Sequence, residues 1–154
     1  MYHTSTHLLK QRTMAESDSG SLFSSAESDQ YHWNNRVLLI TEDEEVNFFY
    51  LKTLLRKTEA RVIRAKNGKE AVDIIAKHCG EIDLILMDLN MPVMDGYEAM
   101  KIIKSRHPGI PIIAQTAYTL TDDRRKCLKA GFNDYISKPI NRLALLRMLN
   151  ENLS

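Results

Sequence analysis

From Arg36 onward, apolar and polar positions fall into alternating blocks. RVLLIT (36–41), DLILMD (83–88) and IPIIAQT (110–116) are short, nearly continuous apolar runs, the pattern of strands buried on both faces. ARVIRA (60–65) and DYIS (134–137) read as shorter or more polar strands. Between them lie five stretches of helical length and spacing: EEVNFFYLKTLLRK (44–57), NGKEAVDIIAKH (67–78), DGYEAMKIIKSRH (95–107), DDRRKCLKAG (122–131) and INRLALLRMLNENL (140–153). Asn67 with Glu70, and Asp95 with Glu98, have the spacing of capping boxes. Gly131 is placed to end the fourth helix. Strand and helix therefore alternate five times. This order predicts a parallel sheet covered on both faces, a doubly wound α/β sandwich with right-handed crossovers. In such a sheet the functional crevice lies beyond the carboxyl ends of the strands.

Composition adds limits. The chain has 154 residues, 44% hydrophobic and 27% charged, as expected for one globular domain with a tail. A net charge of +1 gives no reason to expect nucleic-acid wrapping. No apolar run approaches the roughly 20 residues of a membrane span, and MYHTSTHLLKQR lacks the core of a signal peptide. Cys79 and Cys127 form neither a CxxC nor a zinc spacing, which fits a reduced, cytoplasmic setting. Seven of the ten serines precede Arg36, and SDSGSLFSSAESD offers little apolar surface to bury. Residues 1–34 are therefore read as a flexible leader or linker and 35–154 as the domain. Trp33 is the leader residue with most to gain by packing on the domain edge.

Four strands deliver chemistry to one edge of the predicted sheet. The first runs into Glu42 and Asp43, the third ends at Asp88, the fourth at Thr116, and the fifth runs into Lys138. Clustered carboxylates repel one another and recruit a cation. Mg²⁺ takes hard oxygen ligands and keeps several waters. Asp43 and Asp88 are expected to bind it directly, Glu42 through a metal-bound water, and Asn90 through its main-chain carbonyl. Lys138 and the Thr116 hydroxyl then suit an incoming phosphoryl group, with Asp88 as nucleophile forming an acyl phosphate.

These residues resemble a known family. LLITEDEEVN, LILMDLNMPVMDG, IIAQTAY and DYISKPI, in that order, are similar to the four signature segments of receiver (response-regulator) domains of two-component phosphorelays. The likeness covers about 119 of the 154 residues, from Arg36 to about Leu153. It implies a flavodoxin-like (βα)5 fold with strand order 2-1-3-4-5. It implies that Asp88 is the phosphoacceptor and that Glu42 and Asp43 are the acidic pair for Mg²⁺. Thr116 and Lys138 correspond to the groups that sense and hold the phosphoryl oxygens, and Tyr135 to the aromatic switch residue. The Lys138–Pro139 bond corresponds to the family's cis peptide. The implied partner is a histidine kinase or histidine phosphotransfer domain, and the implied output is a change in the surface formed by the fourth helix, fifth strand and fifth helix. Such a domain catalyses its own phosphorylation and slow dephosphorylation. EDEEVN and AQTAY resemble in spelling the receivers of hybrid histidine kinases more than those of transcription factors.

Further expectations follow. On the first helix Val46, Asn47, Tyr50 and Leu54 share one arc and Phe49 lies opposite. Phe49, with Phe48 at the rim, is a candidate docking contact for a helical phosphodonor. Tyr118 is placed to shield the acyl phosphate, giving a lifetime of minutes or longer. Arg124, Arg125 and Lys126 read as a solvated helix face. The chain leaves no room for an ATP-binding kinase domain, and is read as either a stand-alone receiver or the last part of a hybrid kinase, monomeric or weakly dimeric. Two other classes stay open: an aspartyl-phosphate hydrolase of the haloacid-dehalogenase type, for which Asn90 stands where a second acid belongs, and a receiver that works without phosphorylation.

Overall fold

The structure is a computed structural model and describes residues 30–117 and 121–154. Five strands and five helices alternate: β1 (Val37–Thr41), α1 (Glu45–Leu55), β2 (Arg61–Ala65), α2 (Gly68–Lys77), β3 (Leu84–Asp88), α3 (Gly96–Arg106), β4 (Ile112–Thr116), α4 (Thr121–Ala130), β5 (Asp134–Ser137) and α5 (Arg142–Leu153). The strands form one sheet in the order β2-β1-β3-β4-β5, all parallel. This is the flavodoxin-like arrangement expected from the sequence. β3 and β4 are buried at every position, because both faces carry helices.

Period-two alternation divides the apolar side chains into two half-cores. One holds Leu38, Ile40, Leu86 and Ile113 against α1 and α5, through Leu51, Leu55, Leu145 and Leu149. The other holds Leu39, Ile85, Met87 and Ala114 against α2, α3 and α4, through Ala71, Ile75, Met100, Ile103 and Cys127. All five strands point their carboxyl ends the same way, so the residues that follow β1, β3, β4 and β5 gather at one edge.

Local signals behaved unequally. Asp95 and Glu98 form a full capping box at α3. Asn67 caps α2 by accepting the Glu70 N–H, but the Glu70 carboxylate turns to the Lys66 N–H and leaves the box half made. On α1 the arc of Val46, Asn47, Tyr50 and Leu54 is not the main core face. Phe48, Leu51 and Leu55 face the core, whereas Val46 is 79% exposed and Tyr50 49% exposed. Phe48 is thus a core residue, 8% exposed, and is not at a rim; Phe49, 52% exposed, does face solvent.

Tyr31–Ser154 form one compact unit. Trp33 is buried in the α1–α5 half-core; its indole stacks at a tilt on Tyr31 and its Nε1–H donates to Asn150 Oδ1 at 3.4 Å. The Lys138–Pro139 peptide is cis. Among the described residues, no helix is long and apolar enough to cross a membrane.

Candidate functional site

Glu42 leaves β1 and Asp88 ends β3, and the sheet register sets them side by side. Both are buried, Asp88 at 4% exposure and Glu42 at none, while Asp43 is more open. One ligand oxygen from each of Glu42, Asp43 and Asp88 can be chosen so that all lie within 4.8 Å of one another. Lys138, just beyond β5, is held in line by its N–H donating to the Thr116 carbonyl at 2.7 Å. Its Nζ reaches between the two buried acids, 3.2 Å from Asp88 Oδ2 and 3.3 Å from Glu42 Oε2. The remaining oxygens are partly met by the backbone: Asp88 Oδ1 accepts from Asn90 N–H, and Glu42 Oε1 from Glu44 N–H, each at 3.1 Å.

The charges explain the protonation tendencies. Burial, and then repulsion from Asp88, push the Glu42 carboxyl above the usual range, restrained by the Glu44 N–H and Lys138. Burial works to lower the Lys138 ammonium, but the charges of Asp88 and Glu42 outweigh it and raise it on balance. Three carboxylates and one ammonium leave an excess of negative charge, set among hard oxygen donors. The acidic cluster fits a small divalent cation.

Four of the sequence-selected side chains, those of Glu42, Asp43, Asp88 and Lys138, therefore converge, and Thr116, buried at the end of β4, lies beside them. Thr116 and Asn90 also line a cavity of about 110 Å³ with Leu89, Tyr97 and Asp123. Tyr135 belongs to the opposite half-core, near Cys127 and Asp123, as strand alternation requires, and burial raises its phenol first. Phe48 packs in the α1–α5 half-core beneath the Arg64 guanidinium. Tyr118 lies outside the described residues.

Arg64 was missed by sequence reasoning. From β2 its guanidinium donates to the carbonyls of Glu42 at 3.2 Å and Asp43 at 3.0 Å, and sits over the Phe48 ring at 5.1 Å. It clamps the acidic loop from behind. An arginine in an exposed-looking strand carries no local signal of that role.

Comparison with known proteins resolves the family. Residues 38–150 match the model of the response regulator receiver domain. The chain belongs to this family. It is a receiver domain of two-component systems. Over 119 residues it is 40% identical to hybrid signal transduction histidine kinase M of Dictyostelium discoideum, matching 74% of this chain and 5% of that protein. The chain thus spans a small fraction of the length of that kinase. Among solved structures it resembles the receiver of a sensor histidine kinase from Pseudomonas aeruginosa with a magnesium ion coordinated in the active-site cleft. That likeness has 38% identity and a TM-score of 0.69, over 77% of this chain and 98% of that one. It also resembles the receiver of Ssk1, solved with the histidine phosphotransfer protein Ypd1 of Saccharomyces cerevisiae, at 37% identity and a TM-score of 0.70, over 76% and 88% of the two chains. The receiver match leaves the haloacid-dehalogenase alternative without support.

Proposed function

We propose that this receiver takes a phosphoryl group from a phosphohistidine protein onto Asp88, with Mg²⁺ held by Asp43, Asp88 and the Asn90 carbonyl, and by Glu42 through water. The observation that carries the reading is Lys138 Nζ between Asp88 and Glu42. An Asp88 carboxylate oxygen attacks phosphorus, and the P–N bond breaks with its electron pair passing to the donor imidazole. Asp88 then carries a mixed anhydride. Lys138 is released from Asp88 to pair with a phosphoryl oxygen, and the Thr116 hydroxyl donates to another. Mg²⁺, when bound, offsets the negative charge of the phosphoryl oxygens and the carboxylates. Tyr135 then follows Thr116 and changes the surface of α4, β5 and α5. The phosphodonor is a histidine kinase or a histidine phosphotransfer domain, and Phe49 beside the acidic loop is its contact on α1. The reading places this chemistry in the cytoplasm.

The test is intact mass after incubation with Mg²⁺ and acetyl phosphate. One added phosphate is expected, absent without Mg²⁺ and absent in Asp88→Asn. An unchanged mass in the native protein returns the chain to the class of receivers that work without phosphorylation.

A further inference from the structure

A second recess shares Lys138 with the acidic cluster. It measures about 420 Å³ and opens between α1 and the segment Lys138-Pro139-Ile140, over Gln115 of β4. Leu51, Pro139, Ile140 and the Tyr50 ring make most of its wall apolar. The wall is fixed by Tyr50, whose hydroxyl donates to the Ile140 carbonyl at 2.9 Å. The volume falls in the roughly 300–1,000 Å³ range of small-molecule sites.

Asn47 and Gln115 are the carboxamides of the lining; Asn47 Nδ2 already donates to Glu44 Oε2 at 3.1 Å, which leaves Gln115 to give this recess its chemistry. Alternation along β4 puts it on the face of Ile113, toward α1 and α5, and the register sets it beside Asp88 and Ile136. It is fully buried, yet among the described residues neither its Oε1 nor its Nε2 has a hydrogen-bond partner. A buried carboxamide with both ends unpaired is costly, and an apolar side chain of similar volume carries no such cost. A glutamine here is favourable when an occupant supplies an acceptor for Nε2 and a donor for Oε1. Charge narrows the class further. Lys138 is the charged residue of the lining, and its ammonium is already committed to Asp88 and Glu42.

We propose that this recess binds a small neutral molecule with a carboxamide-like donor–acceptor pair on an apolar body. The pair bonds to Gln115 and the body lies among Tyr50, Leu51 and Pro139. The site is independent of the phosphoryl reading: it needs neither Mg²⁺ nor a phosphodonor.

The experiment titrates the full chain with benzamide, followed by NMR at the Gln115 side-chain amide and at the backbone of Leu51 and Ile140. Toluene is the control without an amide and benzoate the control for charge. Saturable shifts with benzamide are expected at these residues, with toluene and benzoate several-fold weaker. Gln115→Met, or Gln115→Leu if the first variant folds poorly, is expected to weaken benzamide about tenfold and to leave toluene unchanged. Three results overturn the proposal: no benzamide shifts at these residues, equal binding of benzamide and toluene, or full benzamide affinity in both Gln115 variants. Water alone in the recess gives the first of these.

Discussion

At Lys138 one ammonium serves two buried carboxylates, and this sets opposite signs for two measurements. Lys138→Met removes the positive charge that competes with a cation, so Mg²⁺ binding is expected to tighten, as read by calorimetry. The same change removes the donor for a phosphoryl oxygen, so the rate of labelling by acetyl phosphate is expected to fall by about 10²-fold. A loss of both would mean that the lysine shapes the site instead of balancing its charge. At this scale the sequence was most informative where polar residues interrupt or end apolar runs. Asp88, Thr116 and Lys138 stand at such places, and a parallel topology sends all of them to one edge. Arg64 and Gln115 were illegible for the complementary reason. Their roles depend on which strand lies alongside and on the helix above, and neither relation leaves a trace in the neighbouring letters.

Among the elements, α1 shows how local pattern can mislead. Phe48, Leu51 and Leu55 form one apolar stripe at helical spacing, and Val46, Tyr50 and Leu54 form another almost as apolar. Tertiary packing chose the first, with Arg64 lying over Phe48. The exposed remainder gives a prediction. Phe49→Ala is expected to slow phosphoryl transfer from a phosphohistidine protein several-fold while leaving acetyl phosphate labelling unchanged, since the small donor needs no docking surface. The start of α3 is constrained more tightly. A Cβ at Gly96 would run into the Asp88 carbonyl and lie 2.9 Å from the Leu89 Cα. These are backbone atoms, so no rotamer change relieves the contact. Gly96→Ala is expected to cost about 1–3 kcal/mol in urea unfolding and to slow labelling of Asp88 by shifting its loop.

For the molecule as a whole, the two half-cores differ in what they bury. The α2–α3–α4 side contains the Cys127 thiol, 3.4 Å from the Tyr97 hydroxyl. Burial raises both groups above their ordinary values, with the Tyr97 bond pulling the thiol back in part. The unfolded chain therefore releases these protons first, and the folded state holds more of them. Their contribution to stability is complete below the ordinary thiol value of 9.0 and is lost as pH rises through the raised folded values. The urea midpoint is expected to fall as pH rises above about 9, and to fall less in Cys127→Ala. Both layers were legible because three strong apolar blocks and two weaker ones alternate with helices, and the sheet order came with the resemblance to receivers. The packing of Trp33 was anticipated from its size, whereas that of Tyr31 was not, since one aromatic in a polar stretch shows no period. Their position has a topological result. Trp33 and Arg36 line the same recess as Leu153 and Ser154, at the pole opposite the acidic cluster. The first packed residues of the described fold and its last helix are therefore neighbours. Residues 31–154 thus close like a ring with one clasp, and the clasp stands at the edge of the sheet away from Asp88 and Lys138.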